Sequence, residues 1–174
     1  MMSIAQTLNA MTESQAREAL TNCCASQAWV ESMLAARPYL DDDAVEEAAE
    51  AAAANLTERD WLEAFAAHPL IGDVESLREK YAATKSLAAN EQSGVAAASD
   101  ETLHEFAKLN REYAERFGFI FIIFATGKSA DEMLAILKDR LNNPRQRELL
   151  NAAGEQMKIT KLRLQKLASR PSDA

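Results

Sequence analysis

The chain has 174 residues, a formal net charge of −8, 48% hydrophobic residues and 26% charged residues. That length suits one domain with a core of its own, expected over residues 1–174. The acidic balance lacks the basic footprint of a nucleic-acid binder and argues against a membrane-surface role. The longest apolar run, Phe119 to Ala125, is far too short to cross a bilayer. Cys23 and Cys24 are adjacent and have no second pair, so no disulfide framework or zinc pattern is expected. A reduced, cytoplasmic setting fits, and no basic-then-apolar leader opens the sequence.

Taken in chain order, almost every segment predicts helix. Ser3 is placed to cap a short helix ending near Met11, and helices follow over Thr12 to Asn22 and Ser26 to Ala36, the latter stopped by Pro38. Asp41 to Asn55 is alanine-rich and acidic at its start, which suits the helix dipole. Thr57 with Asp60 resembles a capping box ahead of Trp61-Leu62-Glu63-Ala64-Phe65. Pro69 then breaks the pattern and pushes His68 out of the α region, to a helix terminus where its imidazole is able to face a cleft. A helix is expected to restart over 73–83, and 84–99 is the least periodic stretch.

Ser99 to Phe117 predicts a long amphipathic helix with Leu103, Phe106, Leu109, Tyr113 and Phe117 near one face, ended by Gly118. Residues 119–125 are β-branched and aromatic but have no partner strand, so a buried non-helical segment between helices is expected. Ser129 with Glu132 predicts a capping box for a helix to about Asn142. Pro144 predicts the first position of a last helix with an apolar stripe of Leu149, Leu150, Ala153, Met157, Leu164 and Leu167. The expected class is all-α, with about eight helices and one short non-helical apolar segment near 119–125.

Few residues carry chemistry on their own. His104 lies inside the amphipathic helix and reads as a surface or partly buried helix residue, whereas His68 stands at a break. Two histidines without nearby cysteines argue against a metal site, and no phosphate loop or nucleophile elbow is present. Glu91 and Gln92 lie in a weakly periodic stretch whose plain reading is a solvated turn. Arg116 and Arg163 are candidate anion binders, although an isolated arginine on a helix is usually surface.

The order and spacing of several short motifs go further. Cys23-Cys24-Ala25-Ser26 with Trp29, Arg37-Pro38-Tyr39, and Asp60 to Phe65 leading into His68-Pro69-Leu70-Ile71-Gly72 come first. Glu91-Gln92-Ser93-Gly94, Leu109-Asn110 with Tyr113, Arg116 to Phe119, Ala125 to Ser129, Arg140 to Asn143, and Lys158-Ile159-Thr160 with Arg163-Leu164 follow. Together they resemble the 2-oxo-4-hydroxy-4-carboxy-5-ureidoimidazoline (OHCU) decarboxylase family over nearly the whole chain. Two positions depart from the family pattern: Leu70 stands where arginine is frequent and Ala88 where serine is frequent. The second removes a hydroxyl contact and leaves backbone groups there.

The resemblance implies decarboxylation of OHCU to (S)-allantoin and CO2 in urate breakdown, with no cofactor and no metal. It implies His68 and Glu91 as catalytic residues, His68 as the general acid/base beside the substrate hydroxyl. It implies substrate contacts from Pro69, Ala88, Ala89, Asn90, Glu91 and Gln92, from backbone groups of Phe121, Ile122, Ile123, Phe124 and Ala125, and from Arg163 to the carboxylate. It also suggests a homodimer. Two other readings stay open from the residues: a non-enzymatic helical interaction module, and a lyase or hydrolase acting on a related ureide.

Overall fold

The structure, a computed structural model, describes residues 2–68 and 100–169. These residues form eight helices and no strand: α1 (Ile4–Ala10), α2 (Glu13–Cys23), α3 (Gln27–Ala35), α4 (Asp42–Ala54), α5 (Glu58–Ala66), α6 (Asp100–Phe117), α7 (Ala130–Arg140) and α8 (Arg145–Ser169). The all-α expectation holds for them. The helix expected over 73–83 and the stretch 84–99 lie outside the described residues.

The helix starts follow from single side chains. Ser3, Thr12 and Thr57 each accept from the backbone N–H three residues on, and the Gln or Asp at that third position bonds back to the cap N–H. Ser26 and Asp41 cap α3 and α4 without the reciprocal bond. Each cap satisfies a donor that the helix itself cannot, worth about 1 kcal/mol. Ser129 accepts from the Glu132 N–H, but the Glu132 carboxylate takes the Ser129 hydroxyl instead of a backbone N–H, so the box expected there is only half formed. Helix α7 ends at Arg140, just short of the expected Asn142. Pro144 stands one residue outside α8, its carbonyl accepting from Glu148 N.

The chain divides into two compact units. The first comprises residues up to Ala67 together with those from Ala153 onward. Within it α3 packs against α2, α4 and α5, and α4 packs against α1. Trp29 is fully buried, and its indole N–H donates to the Ala49 carbonyl at 3.2 Å. Alanines at 49 and 52 let α4 approach that closely; truncating such a tryptophan costs about 3–5 kcal/mol. Tyr39, also buried, donates its hydroxyl to the Met33 carbonyl, and its backbone exchanges two bonds of 2.8 Å with the Asn9 amide.

The second unit runs from His68 to Ala152. In it α6 packs on α7, joined at the rim by Thr102 to Asp131 at 2.9 Å and Lys138 to Glu105 at 2.8 Å. Gly118, at φ +81°, ends α6 in the left-handed region that favours glycine. The buried face of α6 is Leu103, Phe106, Ala107, Asn110, Tyr113 and Phe117; Leu109, expected there, is only half-buried.

Helix α8 departs most from its reading. Leu150 is 71% exposed, outside the stripe expected for it. The buried positions are Glu148, Ala152, Gln156, Thr160 and Leu164, one every four residues, and three of the five are polar. The seam has true helical spacing, but hydropathy hides it.

At the head of that seam sits a buried ion pair. Glu148 is 0% exposed and Arg140 7%. The Arg140 Nε donates to Glu148 Oε1 at 2.7 Å, and the Tyr113 hydroxyl donates to the same oxygen at 2.5 Å. Asn143 and Asn151 donate to Oε2 at 2.8 and 2.7 Å. Burial by itself raises the Glu148 pKa, but the hydrogen bonds from Tyr113, Asn143, Asn151 and Arg140 outweigh it and hold the carboxyl below the ordinary 4.5. Burial lifts the Tyr113 phenol well above its usual range, so it serves as a donor.

Since the folded-state pKa of Glu148 is depressed, its charge stabilises the fold fully above the unfolded value near 4.5 and progressively less as pH falls through the folded value. Glu148→Gln, which leaves Arg140 buried without its counter-charge, is expected to cost about 3 kcal/mol at neutral pH. Urea melts should show the gap between wild type and variant shrinking below pH 4.5. Burial also pushes the Cys23 thiol up to about 12, against partial relief from the charge of Arg163, and raises Cys24 too. Both thiols are buried and unbridged, so a disulfide-exchange reagent at pH 8 should titrate both only after denaturation. Fast native reaction would contradict their burial.

Candidate active site

His68 is the last described residue before the chain reaches Pro69. Its placement begins with the capping box of Thr57 and Asp60, which fixes the start of α5. Trp61 stacks on Phe65 along that helix, with ring centroids 6.1 Å apart. Glu63 accepts from the backbone N–H of Gln27, at the start of α3, at 2.9 Å. The helix ends at Ala66, Ala67 caps it, and His68 stands in a bend, half-buried. The helix break expected beside His68 is found, with α5 ending two residues before it. Pro69, Ala88, Ala89, Asn90, Glu91 and Gln92 lie outside the described residues.

Residues 119–125 run without helix or strand between α6 and α7. Phe119 and Ile122 are buried, while Phe121, Ile123, Phe124 and Ala125 are half-buried. Tyr113 anchors the aromatic side: its ring lies 5.4 Å from Phe121 and 6.0 Å from Phe119, both edge-on. The guanidinium of Arg140 stacks 4.7 Å from the Phe121 ring centre. Several backbone carbonyls here are already engaged. Arg140 Nη1 donates to Ile122 O at 2.8 Å, Lys128 Nζ to Phe124 O at 3.0 Å, and Lys128 N to Ala125 O at 3.0 Å. These bonds narrow the acceptors that the segment offers a ligand.

Arg163 belongs to the first unit, on the later turns of α8. It is exposed, and its Nη1 donates to Asn22 O at 3.1 Å. With Lys166, Glu18, Gln15 and Cys23 it lines a cavity of about 350 Å³. Arg116 lies on the surface in the last turn of α6, over the Phe117 ring at 5.5 Å, and His104 is exposed on the same helix. Both match their plain reading as surface groups. Among the described residues, no group of three histidine, cysteine or acidic side chains is placed to hold a metal ion, and no helix is long and apolar enough to cross a membrane.

The residues that sequence reasoning passed over are Glu148 and its partners. Arg140 enters the sequence reading only as part of a motif, and Glu148 not at all. The available signal was the four-residue spacing of Glu148, Ala152, Gln156, Thr160 and Leu164, read by position without regard to polarity.

Comparison with known proteins agrees with this architecture. A model of the family described as OHCU decarboxylase matches residues 9–165. The uric acid degradation bifunctional protein TTL of Arabidopsis thaliana is 39% identical over 84% of this chain, which covers 45% of that protein. The 2-oxo-4-hydroxy-4-carboxy-5-ureidoimidazoline decarboxylase of Haloferax volcanii is 28% identical over 78% of the chain and 79% of its own length. The chain thus spans less than half of the plant bifunctional relative and most of the archaeal one. A crystal structure of an OHCU decarboxylase in the presence of (S)-allantoin superposes with a TM-score of 0.70 at 38% identity, covering 88% of this chain and 98% of that one. With a family match over so much of its length, the chain belongs to the OHCU decarboxylase family.

Proposed function

We propose that this chain is a cofactor-independent carboxy-lyase that converts OHCU to (S)-allantoin and CO2 in urate degradation. The observation that carries the reading is the family match over residues 9–165, which spans both the bend at His68 and the non-helical segment 119–125. The crystallised relative was studied with (S)-allantoin, the product assigned here.

The chemistry needs little from the protein beyond placement. The substrate carries a carboxylate and a hydroxyl on one ring carbon, next to a C=N bond. When the bond to the carboxylate breaks and CO2 leaves, its electron pair forms a C=C bond to the neighbouring carbon, and the C=N π pair moves to nitrogen, which takes a proton. The hydroxyl then releases its proton as the carbonyl forms, and the neighbouring carbon takes a proton on one face. One proton is consumed overall. His68 serves as the general acid/base at the hydroxyl, a task suited to an imidazole, whose unperturbed pKa lies near neutrality. Glu91 and Gln92 hold the ring and ureido nitrogens, and Arg163 meets the carboxylate with its planar fork. Pro69, Ala88, Ala89 and Asn90 complete the substrate contacts beside them. Backbone groups of Phe121 to Ala125 bind the ring, with N–H donors carrying more of that work than the engaged carbonyls. The enzyme works as one domain over residues 1–174, as a homodimer in the reduced cytoplasm, with neither nucleic acid nor membrane as partner.

Freshly generated substrate decays slowly to racemic allantoin, so optical activity separates enzymatic from spontaneous product. Wild type should give rapid CO2 release and (S)-allantoin, and His68→Asn should lose at least about 100-fold in rate with unchanged far-ultraviolet dichroism. Racemic product at the spontaneous rate from wild type would sink the assignment and favour an interaction module. Exhaustive dialysis against chelator should leave the rate unchanged.

A further inference from the structure

We propose that Arg140 is a positioning residue for decarboxylation: held by Glu148 and Tyr113, it orients the Ile122–Ile123 peptide so that the Ile123 N–H is presented to the substrate. The inference rests on the reading of residues 121–125 as a substrate-binding segment and adds the residues that aim it.

The geometry is that of a planar trans peptide. The Arg140 Nη1 bond fixes the direction of the Ile122 carbonyl at 2.8 Å. The N–H of Ile123 shares that plane and points the opposite way, away from the guanidinium. A non-helical segment has no internal ladder to set this plane, so the orientation depends on whatever grips the carbonyl. Arg140 grips it with little freedom. Its Nε is committed to Glu148 at 2.7 Å, its Nη2 to the Tyr113 hydroxyl at 3.3 Å, and its Cζ lies over the Phe121 ring, 4.7 Å from the centre. Glu148 is in turn fixed by Asn143 and Asn151. Three donors in one plane reach three acceptors on separate elements, which a lysine ammonium at the end of a flexible stem does not reproduce.

The test is steady-state kinetics of Arg140→Lys on OHCU, with (S)-allantoin titrated into 15N-labelled wild type. The expected result is a folded variant whose KM is raised about tenfold, with some loss of optical purity, because a misaligned donor weakens substrate binding as well as turnover. A purely structural defect would instead lower kcat in proportion to the folded fraction and leave KM alone. In wild type the Ile123 amide resonance should shift on adding (S)-allantoin. Lys138→Ala, on the exposed face of the same helix, should behave as wild type. If the lysine variant fails to fold, Glu148→Gln carries the same KM expectation by loosening the guanidinium. A folded Arg140→Lys with wild-type KM, or an Ile123 amide unmoved by (S)-allantoin, overturns the proposal while wild-type turnover keeps the decarboxylase reading intact. Absence of wild-type turnover removes that reading first.

Discussion

The buried pair of Arg140 and Glu148 is the constraint around which the second unit is arranged. A carboxylate with no exposed surface survives only if its oxygens are filled, and here four donors fill them: Tyr113 and Arg140 on one oxygen, Asn143 and Asn151 on the other. Those donors come from α6, from the end of α7, from the α7–α8 turn and from α8 itself. A single carboxylate therefore ties together the elements that frame residues 119–125. Such a pair is seldom the most stabilising way to fill a core, because desolvation offsets most of the Coulomb attraction. What it supplies over an apolar filling is directional: a fixed donor for a backbone carbonyl that neither helix nor strand would satisfy.

The first unit solves a different problem by a different route. Its helices α1 to α5 are short, and isolated helices of seven to thirteen residues are marginal in water. Side-chain caps at nearly every start and alanine at close contacts let them pack around Trp29, Leu8, Leu20 and Met33. Several polar groups brought inside are given a backbone partner, the Trp29 indole at the Ala49 carbonyl and the Tyr39 hydroxyl at the Met33 carbonyl among them. Thr160 donates to the Cys23 carbonyl at 3.0 Å while accepting from Gln156 at 3.1 Å, which keeps the polar seam of α8 satisfied deep in this core.

Much of this was legible in the sequence, and the physical reasons are local ones. Ser3, Thr12, Ser26, Asp41 and Thr57 mark helix starts because a short oxygen-bearing side chain reaches only the next turn. Gly118 marks an end because its φ of +81° suits no other residue as well. The non-helical character of 119–125 followed from β-branched and aromatic residues without a partner strand. The position of His68 followed from Pro69. The seam of α8 was not legible, since a stripe of Glu, Gln and Thr resembles a solvated face until the groups that satisfy it are placed in space. Tyr113, Arg140 and Glu148 lie up to 35 residues apart in the chain, and no spacing rule joins them. The taking of the Ile122 carbonyl by a side chain 18 residues away was hidden for the same reason.

The chemistry proposed for this chain makes such hidden scaffolding matter more than an unusual catalytic group. The electron sink lies within the substrate, so acceleration comes from orientation, controlled protonation and exclusion of water. Under those terms a misplacement of about 1 Å costs on the order of 100-fold. Backbone donors are well suited to this work because they bring no rotamer entropy of their own, provided that the peptide carrying them is held. In a helix that holding is automatic but the donor is consumed. In 119–125 the donor is available for aiming only because something else does the holding. A buried guanidinium braced by a fully bonded carboxylate meets that need with side chains drawn from the surrounding helices. A segment proposed to bind substrate thus escapes helical geometry without losing the rigidity that helices provide.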